Sequence, residues 1–377
     1  MRVSGLRILR RTGSILVVNS RTLARSDILV LAGSGAAIIA AGVTRYTPHT
    51  PAVLAFVVAG LAVALLASVV GRSVEQLGDR FGPGATGVLQ SALGNLPELF
   101  IGFFALKAGL IAVVQAAIIG SILSNILLVL GLAFVVGGLR HGPQRFDSDR
   151  ARTSTVLMVL ATAALVLPSL AQYVHTPAAS HEKTLSLIVS VILLGVFVLS
   201  LPAALKRSSG APKTETAEQP AEGHSHWPLW LAVALLTVAS VAAALVSDWF
   251  VNALEPAIST LGISQAFAGL VIVAIAGNAI ENVVGIQLAF RNKADFAMAV
   301  IIQSPLQVAL VLAPALVLLS LLTATTLTLV FAPMLVVAVC VTVVAVAFIV
   351  FDGESTWLEG VTLIALYAII ATAFWWG

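Results

Sequence analysis

The chain has 377 residues, 59% of them hydrophobic and only 10% charged, with a formal net charge of +3. Soluble domains average about 25% charged residues, so this composition argues against a soluble multidomain protein, and the small basic excess lies in loops rather than in a nucleic-acid surface. The single cysteine, Cys340, excludes an intrachain disulfide framework and a thiolate metal cluster.

Residues 1–26 carry Arg2, Arg7, Arg10, Arg11, Arg21 and Arg25 and no acid. They read as a basic cytoplasmic tail, and the same composition also fits a targeting segment. Eleven apolar spans follow, predicted at about 28–44, 51–71, 84–106, 109–138, 153–173, 184–205, 227–247, 265–290, 295–322, 327–350 and 356–375. Backbone groups in lipid must be satisfied within the protein. The runs are continuous rather than alternating, which indicates helices and not a barrel. With the N-terminus in the cytoplasm, seventeen Lys and Arg fall inside and only Arg45, Lys107 and Lys183 outside. That asymmetry orients the chain and predicts a multi-pass protein of a bacterial-type plasma membrane.

Two pentapeptides interrupt the apolar pattern: Gly94-Asn95-Leu96-Pro97-Glu98 and Gly277-Asn278-Ala279-Ile280-Glu281. Gly94 and Gly277, Asn95 and Asn278, and Glu98 and Glu281 are each 183 residues apart. The motifs fall on spans three and eight, an odd number apart, so a repeat relating them is inverted, an arrangement found in secondary transporters with sites at the midplane. The expected architecture is an all-α membrane protein of eleven transmembrane helices. One extra N-terminal helix (27–46) precedes two inverted five-helix repeats (51–205 and 227–377), with a polar cytoplasmic linker at 206–226 between them.

Among seventeen acids, only Glu98 and Glu281 are expected deep within spans. A carboxylate there costs roughly 2.5–3.5 kcal/mol on insertion scales, so a matched pair points to an ion held between the two. Pro97 lacks an N–H and leaves the carbonyl of Leu93 without its helical partner. Gly94 loosens the same turn, and Gly277 with Asn278 must supply any break in the second motif. Carbonyls freed at such breaks are hard oxygen donors of the kind Ca²⁺ prefers. The following helices bring Gly120-Ser121-Ile122-Leu123-Ser124-Asn125 and Gln303-Ser304-Pro305-Leu306-Gln307, with Ser121 and Ser304 again 183 apart. Asn95, Asn278, Ser121, Ser304 and Gln307, with Ser124, Asn125 and Gln303, could either complete an oxygen shell or bond between helices. Gly102 and Gly285 suit close helix packing. No HExxH, Walker or dinucleotide loop is present, so neither a metalloprotease nor an ATP-driven pump is indicated.

At these residues the chain resembles the cation/proton exchanger (CAX) family of the Ca²⁺/cation antiporter superfamily. The resemblance rests on Gly94-Asn95, Glu98-Leu99, Phe104 to Leu110, Val113 to Ala116, Gly120 to Asn125 and Leu128 to Gly131. In the second half it rests on Gly277 to Ala279, Glu281, Asn292-Lys293, Asp295, Ser304, Leu306-Gln307, Ala309-Leu310 and Ala313-Pro314. It implies a transporter rather than an enzyme, without a cofactor, exchanging Ca²⁺ or other cations for H⁺ across a lipid bilayer. It also implies an ion site built from the motif glutamates and one extra helix before a five-plus-five repeat. Leu96-Pro97 stands where the family usually has Ala-Thr and looks more like the sodium/calcium exchanger branch, which keeps Na⁺-coupled or monovalent-cation exchange as the alternative. Asn282 stands in place of a common His. In the expected mechanism Glu98 and Glu281 both bind the cation and couple it to protons, because the two occupants compete for the same oxygens.

Overall fold

The computed structural model describes residues 23–81, 89–90, 93–210 and 227–376, without the side chains of 79, 81, 149–150, 201–210 and 280–281. Outside the described residues lie 1–22 of the basic tail, 84–88 and 91–92 of the third expected span, 211–226 of the linker, and the side chain of Glu281.

The described chain is mostly helical. Helices α1 (Arg25–Tyr46), α2 (Ala52–Phe81) and α3 (Leu96–Lys107) are followed by α4 (Ile111–His141), α5 (Ser148–Tyr173) and α6 (Glu182–Gly210). The second half contains α7 (Leu229–Leu261), α8 (Gln265–Gly277), α9 (Ala279–Phe290), α10 (Ala294–Leu322), α11 (Pro333–Ile349) and α12 (Trp357–Ala373). Seven of these are long and apolar enough to cross a membrane, and α8 with α9 makes an eighth as a pair bent by 62°. The chain is therefore an integral, multi-pass membrane protein.

Several helices outrun the spans expected for them. Helix α2 continues to Phe81 and α7 to Leu261, so Glu75, Asp248 and Glu255 lie on helices rather than in loops. Past the expected spans both helices continue on mixed polar and apolar residues, and α7 still buries Phe250, Val251 and Leu254. Asp27, expected in a loop or tail, lies in the first turn of α1 and is buried, paired with Arg72 at 2.6 Å. The largest correction is at the tenth span. Residues 323–332 are not helical, and α11 begins only at Pro333. The backbone of this stretch is bonded by side chains of other helices. Leu329 N–H donates to Ser186 Oγ and Phe331 N–H to Ser169 Oγ, each at 2.9 Å. Gln115 Nε2 donates to the Thr328 and Val330 carbonyls, and Tyr173 OH to that of Phe331. Leu327, Leu329 and Phe331 are buried between these helices. Non-helical backbone is tolerated at such depth when the protein satisfies it in this way.

The 183-residue offset is written into the backbone. Asn95 and Asn278 precede α3 and α9 with nearly the same angles, φ −93° and ψ 19° against φ −91° and ψ 18°. Both motif helices end alike. Gly109 and Asn292 take positive φ, 80° and 57°. The 6→1 bonds Leu110 N–H to Ala105 O and Lys293 N–H to Leu288 O are both 2.9 Å, the closure typical of left-handed helix ends. Distortions match too: α4 carries a π-helical stretch at Ser124–Val129 and α10 one at Val308–Leu312.

Each motif helix is also held at its end by the other half. Thr325 Oγ1 donates to the Leu106 carbonyl at 2.8 Å, and Gln144 Nε2 to that of Ala289 at 3.2 Å. Asp147 N–H bonds Asp295 at the start of α10, whereas Thr325 lies just past its end. Helix α10 is 29 residues long, about 43 Å at 1.5 Å per residue, so α3 and α9 end at opposite faces. Elsewhere, α1, α2 and α7 pack together through the Phe56–Phe250 stack at 4.7 Å, Gly42 under Trp249, and the Ser34 bond to Leu65 O.

Candidate functional site

The site forms where the two motifs meet. The chain turns at Gly94-Asn95 after a helical Leu93, and Pro97 sits in the first turn of α3. There its missing N–H costs little and its fixed φ suits a helix start. The proline thus sits in the first turn of a new helix instead of kinking a continuous one. The second motif has no proline and breaks at Asn278 alone, which ends α8 and begins α9.

Glu98 projects from α3 onto the second break. A Cβ built on Gly277 would lie 2.8 Å from Glu98 Cγ and 3.5 Å from its Cδ and Oε1. Glu98 and Ser121 are the polar residues lining a small, otherwise apolar cavity of about 30 Å³, walled by Ile101, Val114, Val273, Leu312 and Leu316 among others. One water needs roughly 10–15 Å³ on the same measure, so this space suits one or two waters or a single stripped cation.

A second cavity, about 1100 Å³, is a wide vestibule. Asp27, Arg72, Trp227 and Arg291 stand on its wall, and Gln303, Ser304 and Gln307 bring it to the motif. Between the cavities lies Asn278, only 1% exposed. Its Nδ2 donates to the Ala274 carbonyl at 2.9 Å and to Ser121 Oγ at 3.1 Å, while its Oδ1 accepts from Ser304 Oγ at 3.3 Å. A carbonyl can only accept, so the Ala274 bond identifies the nitrogen and fixes the amide orientation. Ser121, Asn278 and Ser304 therefore form one chain from the small cavity beside Glu98 to the vestibule.

The other sequence candidates are placed as follows. Asn95 is buried, and its Nδ2 finds no hydrogen-bond partner among the described residues. Asn125 donates to the Ser121 carbonyl at 2.9 Å. Gln307 is buried on the vestibule wall. Glu281 lies on α9 three residues past Asn278, its side chain outside the description. Gly102 and Gly285 do pack tightly: an added Cβ would come 2.7 Å from Leu316 and Ile301 respectively. Sequence reasoning missed the vestibule wall on α2. Its signal was present as Ser68, Arg72, Glu75 and Gln76, a polar stripe at helical spacing.

Paired helix breaks meeting beside a carboxylate, under a wide vestibule and within a multi-pass helical bundle, define a membrane transporter rather than an enzyme. The model of the sodium/calcium exchanger protein family matches residues 51–206 and 231–376, and the chain belongs to that family. It is 37% identical to the Ca²⁺/H⁺ antiporter of Synechocystis sp. over 334 residues, covering 85% of this chain and 90% of that protein. It is 36% identical to the Ca²⁺/H⁺ antiporter ChaA of Bacillus subtilis over 354 residues, covering 92% and 97%. Among solved structures, native YfkE superposes with a TM-score of 0.75 at 33% identity, covering 92% of this chain and 98% of that one. The H⁺/Ca²⁺ exchanger CAX shares the fold, with a TM-score of 0.73 at 18% identity over 92% and 91% of the two chains.

Proposed function

We propose that the protein is a secondary antiporter exchanging Ca²⁺ for H⁺, with the cation bound at the midplane between Glu98 and Glu281. The carrying observation is the contact of Glu98 with the Gly277 backbone, which joins the carboxylate of one half to the break of the other. The names of the Synechocystis and Bacillus relatives support the choice of ions. Oxygens of Asn95, Asn278, Ser121, Ser304 and Gln307 and the backbone at Gly94 and Gly277 complete the shell, since Ca²⁺ takes six to eight oxygens. Two ionised glutamates balance one Ca²⁺. Once the ion leaves, two carboxylates in a poorly hydrated space cannot both stay charged at low cost, so protons take its place. That competition couples the fluxes. The full architecture in this reading has eleven spans, in two inverted five-helix repeats behind α1. The N-terminus is cytoplasmic in a bacterial-type plasma membrane, and the vestibule opens to that side.

The test is uptake of radiolabelled Ca²⁺ into proteoliposomes under an imposed pH gradient, with proton flux read alongside. Uptake vanishes in the double variant Glu98→Gln plus Glu281→Gln; uptake that persists overturns the mechanism. Leu96-Pro97-Glu98 favours a second reading, Na⁺-coupled or monovalent-cation exchange. Replacing Na⁺ by choline separates them, because only the second reading loses exchange.

A further inference from the structure

The bonding around the motif is lopsided although the two halves carry the same residues at Gly94 and Gly277, Asn95 and Asn278, and Ser121 and Ser304. Asn95 and Asn278 share one backbone conformation, and Ser121 and Ser304 are the matching hydroxyls one helix further on. By that correspondence Asn278 pairs with Ser121, and Asn95 should pair with Ser304. Asn278 instead holds both hydroxyls, donating to Ser121 and accepting from Ser304. The Asn95 amide nitrogen is buried with no bond among the described residues. A buried amide donor left unbonded is costly, and native structures hold few such groups.

We infer that Asn95 and Asn278 are the two throws of a switch, each in turn bridging Ser121 and Ser304, and that the bridge decides which face reaches the Glu98 cavity. This rests on the antiport reading above. In the present state Asn278 closes the floor of the vestibule. Its bonds tie α9 to α4 and α10, so the vestibule stops at Ser304 while Glu98 stays in its small cavity. In the opposite state the halves exchange conformations. Asn95 then donates to Ser304 Oγ and accepts from Ser121 Oγ, Asn278 is released, and the cavity opens at the far face. Hydroxyls suit this role because each both donates and accepts, so one pair serves either amide. Asn95 and Asn278 thus position the helices in addition to the oxygen each offers the ion. The bonds gained on one side offset those lost on the other, which keeps the two states close in energy, as a two-way carrier requires.

Opposite signs are the signature. A cysteine at Ser68, a vestibule-wall residue on α2, reports vestibule exposure in a Cys340→Ala background, with a membrane-impermeant thiol reagent applied to proteoliposomes. Asn95→Ala removes the competing bridge, so labelling proceeds at the parent rate or faster. Asn278→Ala removes the bridge seen here, so the vestibule closes for most of the time and labelling slows at least tenfold relative to Asn95→Ala. Should Asn278→Ala fail to reach the membrane, Asn278→Ser serves, because its hydroxyl is too short to reach both partners. Ser304→Ala weakens both bridges and leaves the rate within about threefold of the parent. Equal rates in the Asn95 and Asn278 variants, or the reverse order, overturn the switch. Because the parent protein's Ca²⁺/H⁺ exchange is measured in the same vesicles, failure of the switch and failure of the antiport reading are told apart.

Discussion

Substituting Gly277 by alanine tests the site with the smallest available change. The added Cβ would stand 2.8 Å from Glu98 Cγ, where non-bonded carbons prefer about 3.5–4.0 Å. The overlap of roughly 0.7 Å or more must be relieved by Glu98, because the other party is backbone at a helix junction. Overpacking of this kind costs about 1–3 kcal/mol. If that cost falls on the cation-bound state, the Ca²⁺ concentration for half-maximal uptake rises about 5- to 150-fold, at 1.4 kcal/mol per decade. Gly33→Ala is the control, since a Cβ there meets nothing within 4 Å. It should leave transport unchanged and favour α1 by up to about 1 kcal/mol through helix propensity. The assay is initial-rate Ca²⁺ uptake into proteoliposomes at fixed pH gradient, over a Ca²⁺ series. A Gly277→Ala protein that half-saturates within twofold of the parent refutes the reasoning, because Glu98 would then not bind from the position it occupies.

Other expected outcomes concern stability. Ser169→Ala strands two buried backbone groups, Phe331 N–H and Leu329 C=O, each bonded at 2.9 Å. At about 1–3 kcal/mol per stranded group, the melting temperature in detergent falls by several degrees, and Ser186→Ala, which strands one, lowers it by about half as much. Trp227→Phe removes the 3.1 Å indole bond to Asp27, costing about 1 kcal/mol, and the lost pyrrole ring adds a void at this buried site. Asp27→Ala also deprives Arg72, whose side chain is 35% exposed; solvent screening holds that added cost to about 1 kcal/mol. Amide exchange in the first turn of α7 accelerates in both. Gly102→Ala and Gly285→Ala meet equal 2.7 Å contacts and should lose similar stability, about 1–3 kcal/mol each, in a thermal melt.

The parts legible beforehand were those governed by local chemistry at a repeated spacing. The 183-residue offset located both breaks, and the structure gives those positions matching angles. Gly109 and Asn292 are residues that tolerate the positive φ their helix ends need. What escaped depends on partners far along the chain. Residues 327–332 are apolar enough to be counted into the tenth span, and they run extended because the bonds that hold them come from Gln115, Ser169 and Ser186. Asp27 looked like a tail acid because its cation, Arg72, is 45 residues away. The stripe along α2 was masked by counting its end as loop. The Ser121–Asn278–Ser304 chain joins three helices, and no spacing rule specifies which of several polar side chains will bond.

The reciprocal capping of Leu106 by Thr325 and of Ala289 by Gln144 bears on how the protein is made. A ribosome must deliver residue 325 before the first carboxylate-bearing helix gains its last bond, so the early half waits in the bilayer unfinished. Two separately translated fragments, cut between residues 211 and 226, would have to find each other to complete either end.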